Sequence, residues 1–175
     1  MDGRLSYSLT IAVKAMSKPN RTARGPRPSS IARVPGIDYS DLDSMFGYAL
    51  RRAQVAAFEA FSRATSGIGI TPPRFTALVI LQTNPGITQS VLGDVLGTAR
   101  SGAMLLTDWL EGRGLAERRH RPDDGRAWGL YLTARGERLL DTLRRRVRAQ
   151  DKRFAARLAK PERRELLRLL EKIAA

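Results

Sequence analysis

Residues 117–133, ERRHRPDDGRAWGLYLT, place the chain's only histidine, His120, close to two adjacent carboxylates, Asp123 and Asp124. A histidine with carboxylates can ligate a metal ion or exchange protons. Here Arg118, Arg119 and Arg121 surround the histidine and repel any cation approaching it. Adjacent carboxylates in a strand turn also point apart, so they cannot converge on His120. The chain has no cysteine, which removes disulfides, thiolate nucleophiles and thiolate-bound zinc. Gly67-Ile68-Gly69 lacks the rest of any nucleotide-binding glycine fingerprint. These residues argue against an enzyme and a metal site, and no cofactor is expected.

The same stretch suits a different chemistry, the holding of an anion. Pro122-Asp123-Asp124-Gly125 is turn chemistry, and the flanking LAERRH and AWGLYLT read as the arms of a two-stranded ribbon. A ribbon with arginines on both arms can straddle a phosphate backbone and put its tip in the minor groove. Arg118, Arg119 and Arg121 are expected on phosphates, which positions a protein without reading sequence. Asp124 is expected to hold the guanidinium of Arg126 in place at the tip. Trp128 and Tyr131 are expected to fill the core at the root of the ribbon.

Composition points the same way. The formal charge is +14, from 31 basic and 17 acidic residues, and only five of the basic residues are lysine. Arginine's planar donor fork suits phosphates and guanine edges, so a polyanion, double-stranded DNA first, is the expected partner. A hydrophobic fraction of 42% over 175 residues allows one domain with an attached tail. No apolar run approaches the roughly 20 residues that span a bilayer. The first 16 residues make a poor signal peptide, because Lys14 interrupts their short apolar middle. A cytoplasmic protein without membrane contact is expected.

Residues 1–38 are rich in Pro, Ser, Gly and Arg without apolar periodicity, and read as a disordered basic arm. From Ser40 a capping-box-like Ser40-x-x-Asp43 opens a helical pattern that stops near Gly67. A second helix starts at Thr71-Pro72 and ends at Asn84-Pro85-Gly86. Thr88 caps a short helix over Gln89–Leu96; Gly97-Thr98 forms a turn, and another helix covers Arg100–Glu111. After the ribbon, helical periodicity runs from Thr133 to about Leu158, and Pro161 starts a last helix.

Two short helices joined by a tight turn form a helix-turn-helix whose second member can enter the major groove. Thr98, Arg100, Ser101, Gly102 and Met104 are expected to face that groove. Leu105, Leu106, Trp109 and Leu110 are expected to pack inward. The predicted fold is mainly α with a small β-ribbon wing: a winged helix-turn-helix with a helical dimerisation region. It forms a single domain over 39–175, with a DNA-binding core at about 72–133 and dimerisation helices at about 40–66 and 134–173.

Residues 86–140 resemble the winged-helix core of MarR-type (multiple-antibiotic-resistance regulator) transcription factors. LEGRGLAERR, the Asp124-x-Arg126 pair and LTARGERLL are the most specific pieces, and the likeness extends over about 40–172. The resemblance implies a homodimer on a pseudo-palindromic operator. It also implies a repressor released by a small aromatic ligand bound between the dimer scaffold and the winged helix. The chain departs from many relatives in having Met104-Leu105 where they carry Thr-Arg, which leaves Arg100 to make a base contact. Tyr48, Arg51, Arg52, Arg74, Phe75 and Trp109 are the expected pocket residues. The sequence style also resembles members that control aromatic-acid breakdown and sense aromatic acids or their CoA thioesters. The competing reading is a non-sequence-specific architectural DNA-binding protein with no ligand response.

Overall fold

The computed structural model describes residues 33–122 and 127–174. Six helices and a two-stranded antiparallel sheet follow in the order α1 (Phe46–Ala64), α2 (Pro72–Thr83), α3 (Gln89–Val95), α4 (Arg100–Gly112), β1 (Ala116–His120), β2 (Trp128–Leu132), α5 (Ala134–Phe154) and α6 (Lys160–Ala174). The predicted arm lies outside the described residues up to position 32, as do Asp123, Asp124, Gly125 and Arg126 at the ribbon tip. No described helix is long and apolar enough to cross a membrane.

The core gathers one apolar stripe from each element of the winged helix. Leu78 and Leu81 of α2, Leu92 of α3, Leu110 of α4, Leu130 of β2, and Leu140 and Leu143 of α5 are fully buried together. Burying a leucine contributes about 1.5–3 kcal/mol, so these seven fix how the helices pack on the sheet. In β1 and β2, Ala116 pairs with Leu132 and His120 with Trp128. The sheet carries an extension that the sequence does not signal. The Gly86 N–H donates to Leu130 O at 2.9 Å, and the Leu130 N–H donates to Ile87 O at 2.9 Å. The loop before α3 is thereby stitched to the wing, which locks the helix-turn-helix to the ribbon.

Three local expectations are corrected. Ser40 does not cap α1: it sits at φ +45°, its N–H bonds Asp38 Oδ1 at 2.8 Å, and Ser40–Asp43 make a single 3-10 turn. Extended Met45 then separates that turn from α1. Thr71 precedes α2 as expected, but its side chain makes no capping hydrogen bond; Pro72 starts the helix instead. Finally, α5 stops at Phe154, four residues short of Leu158, in a turn where the Leu158 N–H donates to Ala155 O at 3.0 Å.

At the start of α5, Thr133 Oγ1 accepts from the Gly136 N–H at 3.0 Å and donates to Gly114 O at 2.7 Å. Gly136 is buried there, and a Cβ on it would lie 2.1 Å from Leu115 O. Backbone cannot retreat as a flexible side chain can, so Gly136→Ala is expected to cost about 3 kcal/mol or more. Thermal melting checks this, and a Tm within about 2 °C of the parent would contradict the packing.

Candidate DNA interface

The helix-turn-helix is built on small residues. A Cβ on Gly93 of α3 would lie 3.1 Å from the Ala103 Cβ of α4, and Gly93 O accepts from the Thr98 N–H at 3.0 Å. This contact lets the two helices cross closely. Gly97, in the left-handed region at φ +59°, reverses the chain between them. Thr88 caps α3, its Oγ1 accepting from the Val91 N–H. Ala99, which precedes α4, has no side chain able to cap, so the first-turn amides of α4 have no side-chain acceptor.

Arg100, Ser101, Met104, Leu105 and Asp108 of α4 are exposed. From Ser101 onward they stand at i, i+3, i+4 and i+7, one helical face. Two expectations change here. Leu105 does not pack inward; it is 67% exposed, the most exposed large hydrophobic residue among the described residues. Gly102 does not face outward: it is half-buried over the turn, where a Cβ would lie 2.3 Å from Thr98 Oγ1. Leu106, Trp109 and Leu110 turn inward as expected, packing in or against the core. The outward face thus joins a cation and a hydroxyl to two apolar side chains, a set that can meet phosphate, base edges and thymine methyl groups. Leu105→Ala is expected to leave the melting temperature unchanged while weakening operator binding by about 1 kcal/mol. Equal operator affinity of variant and parent, measured by anisotropy, would contradict this.

Strand alternation divides the ribbon arginines between two faces. Arg118 turns towards α3 and α4. Its Nη2 donates to Asp108 Oδ1 at 2.8 Å and to Gln89 Oε1 at 2.8 Å, its Nη1 pairs with Glu111, and its backbone N–H donates to Glu111 Oε1 at 2.9 Å. The guanidinium expected on phosphate is therefore occupied within the domain. It offsets two carboxylates on α4, one of them in a last turn that lacks any basic residue of its own. Arg119 lies on the other face, exposed, over the Tyr131 ring at 4.2 Å and 3.2 Å from Glu117. The Arg121 N–H donates to Ala127 O at 2.9 Å, closing the ribbon below its tip. Trp128 is not core: it is 55% exposed, and its ring lies tilted by 35° over His120 with centroids 4.1 Å apart. Tyr131 is half-buried against Gly86. Between α3–α4 and the ribbon runs a cleft of about 500 Å³ lined by Gln89, Asp94, Thr98, Arg100, Arg118 and Trp128, among others.

The six expected pocket residues make separate local contacts. Tyr48 stacks on Tyr39 with centroids 6.2 Å apart, and Arg52 lies 5.9 Å from the Tyr48 ring. Arg51 donates to Gln54, and Phe75 meets Phe61 edge-on. Arg74 and Trp109 do come together, with the guanidinium 3.7 Å from the indole centroid and a donor to Gly69 O at 2.9 Å. Arg113 lies 4.3 Å from the same ring. Partial burial, and then the charge of Arg113, lowers the pKa of Arg74.

Fold and face together define a winged helix-turn-helix protein. The profile of the MarR family matches residues 68–127. A Thauera aromatica protein named as a transcriptional regulatory protein for the hcr operon is 37% identical over 128 residues, 73% of this chain and 77% of that protein. The repressor CouR bound to a 23-mer DNA duplex superposes with a TM-score of 0.75 at 34% identity, covering 79% of this chain and 99% of that one. CouR bound to p-coumaroyl-CoA gives a TM-score of 0.72 at 33% identity, covering 79% and 97%. The chain belongs to the MarR family of transcriptional regulators.

Proposed function

We propose that this regulator is a dimeric repressor that reads a pseudo-palindromic operator and leaves it when a small aromatic acid or its CoA thioester binds. The observation that carries the DNA-reading role is the outward face of α4. Arg100 has no partner among the described residues, and Ser101, Met104 and Leu105 stand exposed beside it, next to the wing. Thr98, Arg100, Ser101, Met104 and Leu105 are assigned to the major groove, with the first-turn amides of α4 available to a phosphate. Arg119 and Arg121 are assigned to backbone contacts, and Asp124 with Arg126 to the wing tip. Gly102 shapes the turn and Arg118 positions α4, so neither is assigned a direct contact. Met104 and Leu105 argue against binding by phosphate contacts alone, because apolar side chains gain nothing from phosphates.

Dimerisation is supported by α6, which has no buried residue and exposes Leu166, Leu169, Leu170 and Ile173 along one stripe. Phe46 and Phe58 of α1 are likewise exposed, at 61% and 53%. Apolar surface of this extent is expected to be covered by a second copy. Release by a ligand is supported by the similarity to CouR, one structure of which holds p-coumaroyl-CoA. The test is a gel shift on duplex from upstream of the chain's own gene, with 4-hydroxybenzoate, p-coumarate and p-coumaroyl-CoA added in turn. Release by one of them is expected; retention of the complex with all three would contradict the effector reading.

A further inference from the structure

We propose that the groove between the end of α1 and the middle of α5 is a seat for a linear oligophosphate, held by Arg63 on one wall and by Arg146 and Arg153 on the other. The site draws on neither α4 nor the ribbon, and it is independent of the effector reading above. The groove has a volume of about 590 Å³ and is lined by Arg63 and Ala64 of α1 and by Arg146, Ala149, Gln150 and Arg153 of α5.

Spacing selects the ligand. Arg146 and Arg153 stand seven residues apart on one face of α5, close to two turns, which separates them by about 10.5 Å along the helix. Arg63 lines the opposite wall. A single phosphate satisfies one planar guanidinium fork, whereas a chain of phosphates offers oxygens to cations spread along its length. Ala64 and Ala149 present only methyl groups, which leaves room for an anion between the arginines. Gln150 is half-buried in the same groove, and its side-chain amide has no hydrogen-bond partner among the described residues. Its N–H groups are therefore available to a phosphate oxygen.

The charge of the groove is not balanced from within the domain. From position 144 to 153, α5 carries Arg144, Arg145, Arg146, Arg148, Lys152 and Arg153 against a single carboxylate, Asp151. That carboxylate is turned to α6, where it pairs with Arg163. Among the described residues no carboxylate pairs with Arg146 or Arg153. Cations gathered on one groove repel one another and raise the local concentration of anions, so an oligophosphate there relieves the repulsion. The groove also stands apart from the apolar surface of α1 assigned above to a second copy. Arg63 lies five residues beyond Phe58, about 140° further round the helix.

The experiment is calorimetric titration of the full chain with inorganic tripolyphosphate and with orthophosphate, in about 0.15 M salt, where distant surface charges are screened. Tripolyphosphate is expected to bind saturably, and orthophosphate tenfold or more weakly by comparison. Arg146→Gln combined with Arg153→Gln is expected to weaken tripolyphosphate binding tenfold or more; both positions are exposed, and melting checks that the variant stays folded. Arg100→Ala, on the DNA face, is expected to leave tripolyphosphate binding unchanged. Absence of saturable binding would overturn the seat, as would equal binding by the parent and the double variant. Orthophosphate binding as tightly as tripolyphosphate would remove the argument from spacing and overturn it too. A loss in Arg100→Ala as large as that in the double variant would put the anion on the DNA face instead, and the seat would again be wrong.

Discussion

Arg118→Ala is expected to weaken operator binding tenfold to a hundredfold, about 1.4–2.8 kcal/mol, although the guanidinium it removes touches no DNA. The loss arises on α4. Arg118 holds Asp108 and Glu111 and also reaches Gln89 of α3, so one side chain ties β1 to both helices of the reading unit. Without it two carboxylates stand uncompensated on the helix that approaches a polyanion, and α4 loses its tie to the strand. Arg118 and Glu111 are both partly shielded, at 30% and 27% side-chain exposure, so the pair is also expected to contribute about 1–3 kcal/mol of stability. A rescue separates this from direct phosphate contact. Adding Asp108→Asn and Glu111→Gln to Arg118→Ala removes the unmasked charge while leaving amide oxygens as acceptors. Recovery of most of the lost affinity in that triple variant, read as a thermodynamic cycle by anisotropy, is the expected result. An undiminished loss would mean that the unmasked charge is not the cause and that Arg118 acts through its tie to α3 and α4 or on phosphate itself.

The second large effect is expected far from the DNA. Leu166→Asp with Leu170→Asp places two carboxylates on the apolar stripe of α6, where both leucines are exposed in the single chain, at 44% and 37%. The chain is expected to stay folded and to become a monomer by light scattering. A monomer holds one half-site only, and the lost linkage is expected to lower operator affinity by a hundredfold or more. A variant that remains dimeric with parental affinity would show that α6 is not the interface.

Much of this architecture was legible because it depends on local chemistry. Thr88 as a cap and Gly97 as a turn each dictate a nearby backbone conformation, and the helix-turn-helix followed. The two corrected outward faces have a common cause. An apolar residue waiting for DNA has the same type and spacing as one waiting for a core, so Leu105 read as inward and Trp128 as ribbon root. Arg118 could have been found: strand alternation puts it on the same face as buried Ala116, and Asp108 and Glu111 stand one helical turn apart on α4. Gly136 against Leu115 O and the Gly86–Ile87 stitch to Leu130 carried no such signal, because they join segments distant in sequence. The Arg74–Trp109 contact is intermediate. Those two residues were singled out together, whereas Arg113, which lies over the same indole, was not.

The central claim is that the outward face of α4 reads DNA sequence. Its most direct measurement is fluorescence anisotropy of the full chain with duplex from upstream of its own gene and with a scrambled duplex, each across a salt series. A specific excess of roughly a thousandfold, reduced by Leu105→Ala and by Arg100→Ala on the specific duplex alone, is the result expected. Equal binding to both duplexes, falling steeply with salt and unmoved by Leu105→Ala, would contradict it and leave an architectural protein held by phosphates alone.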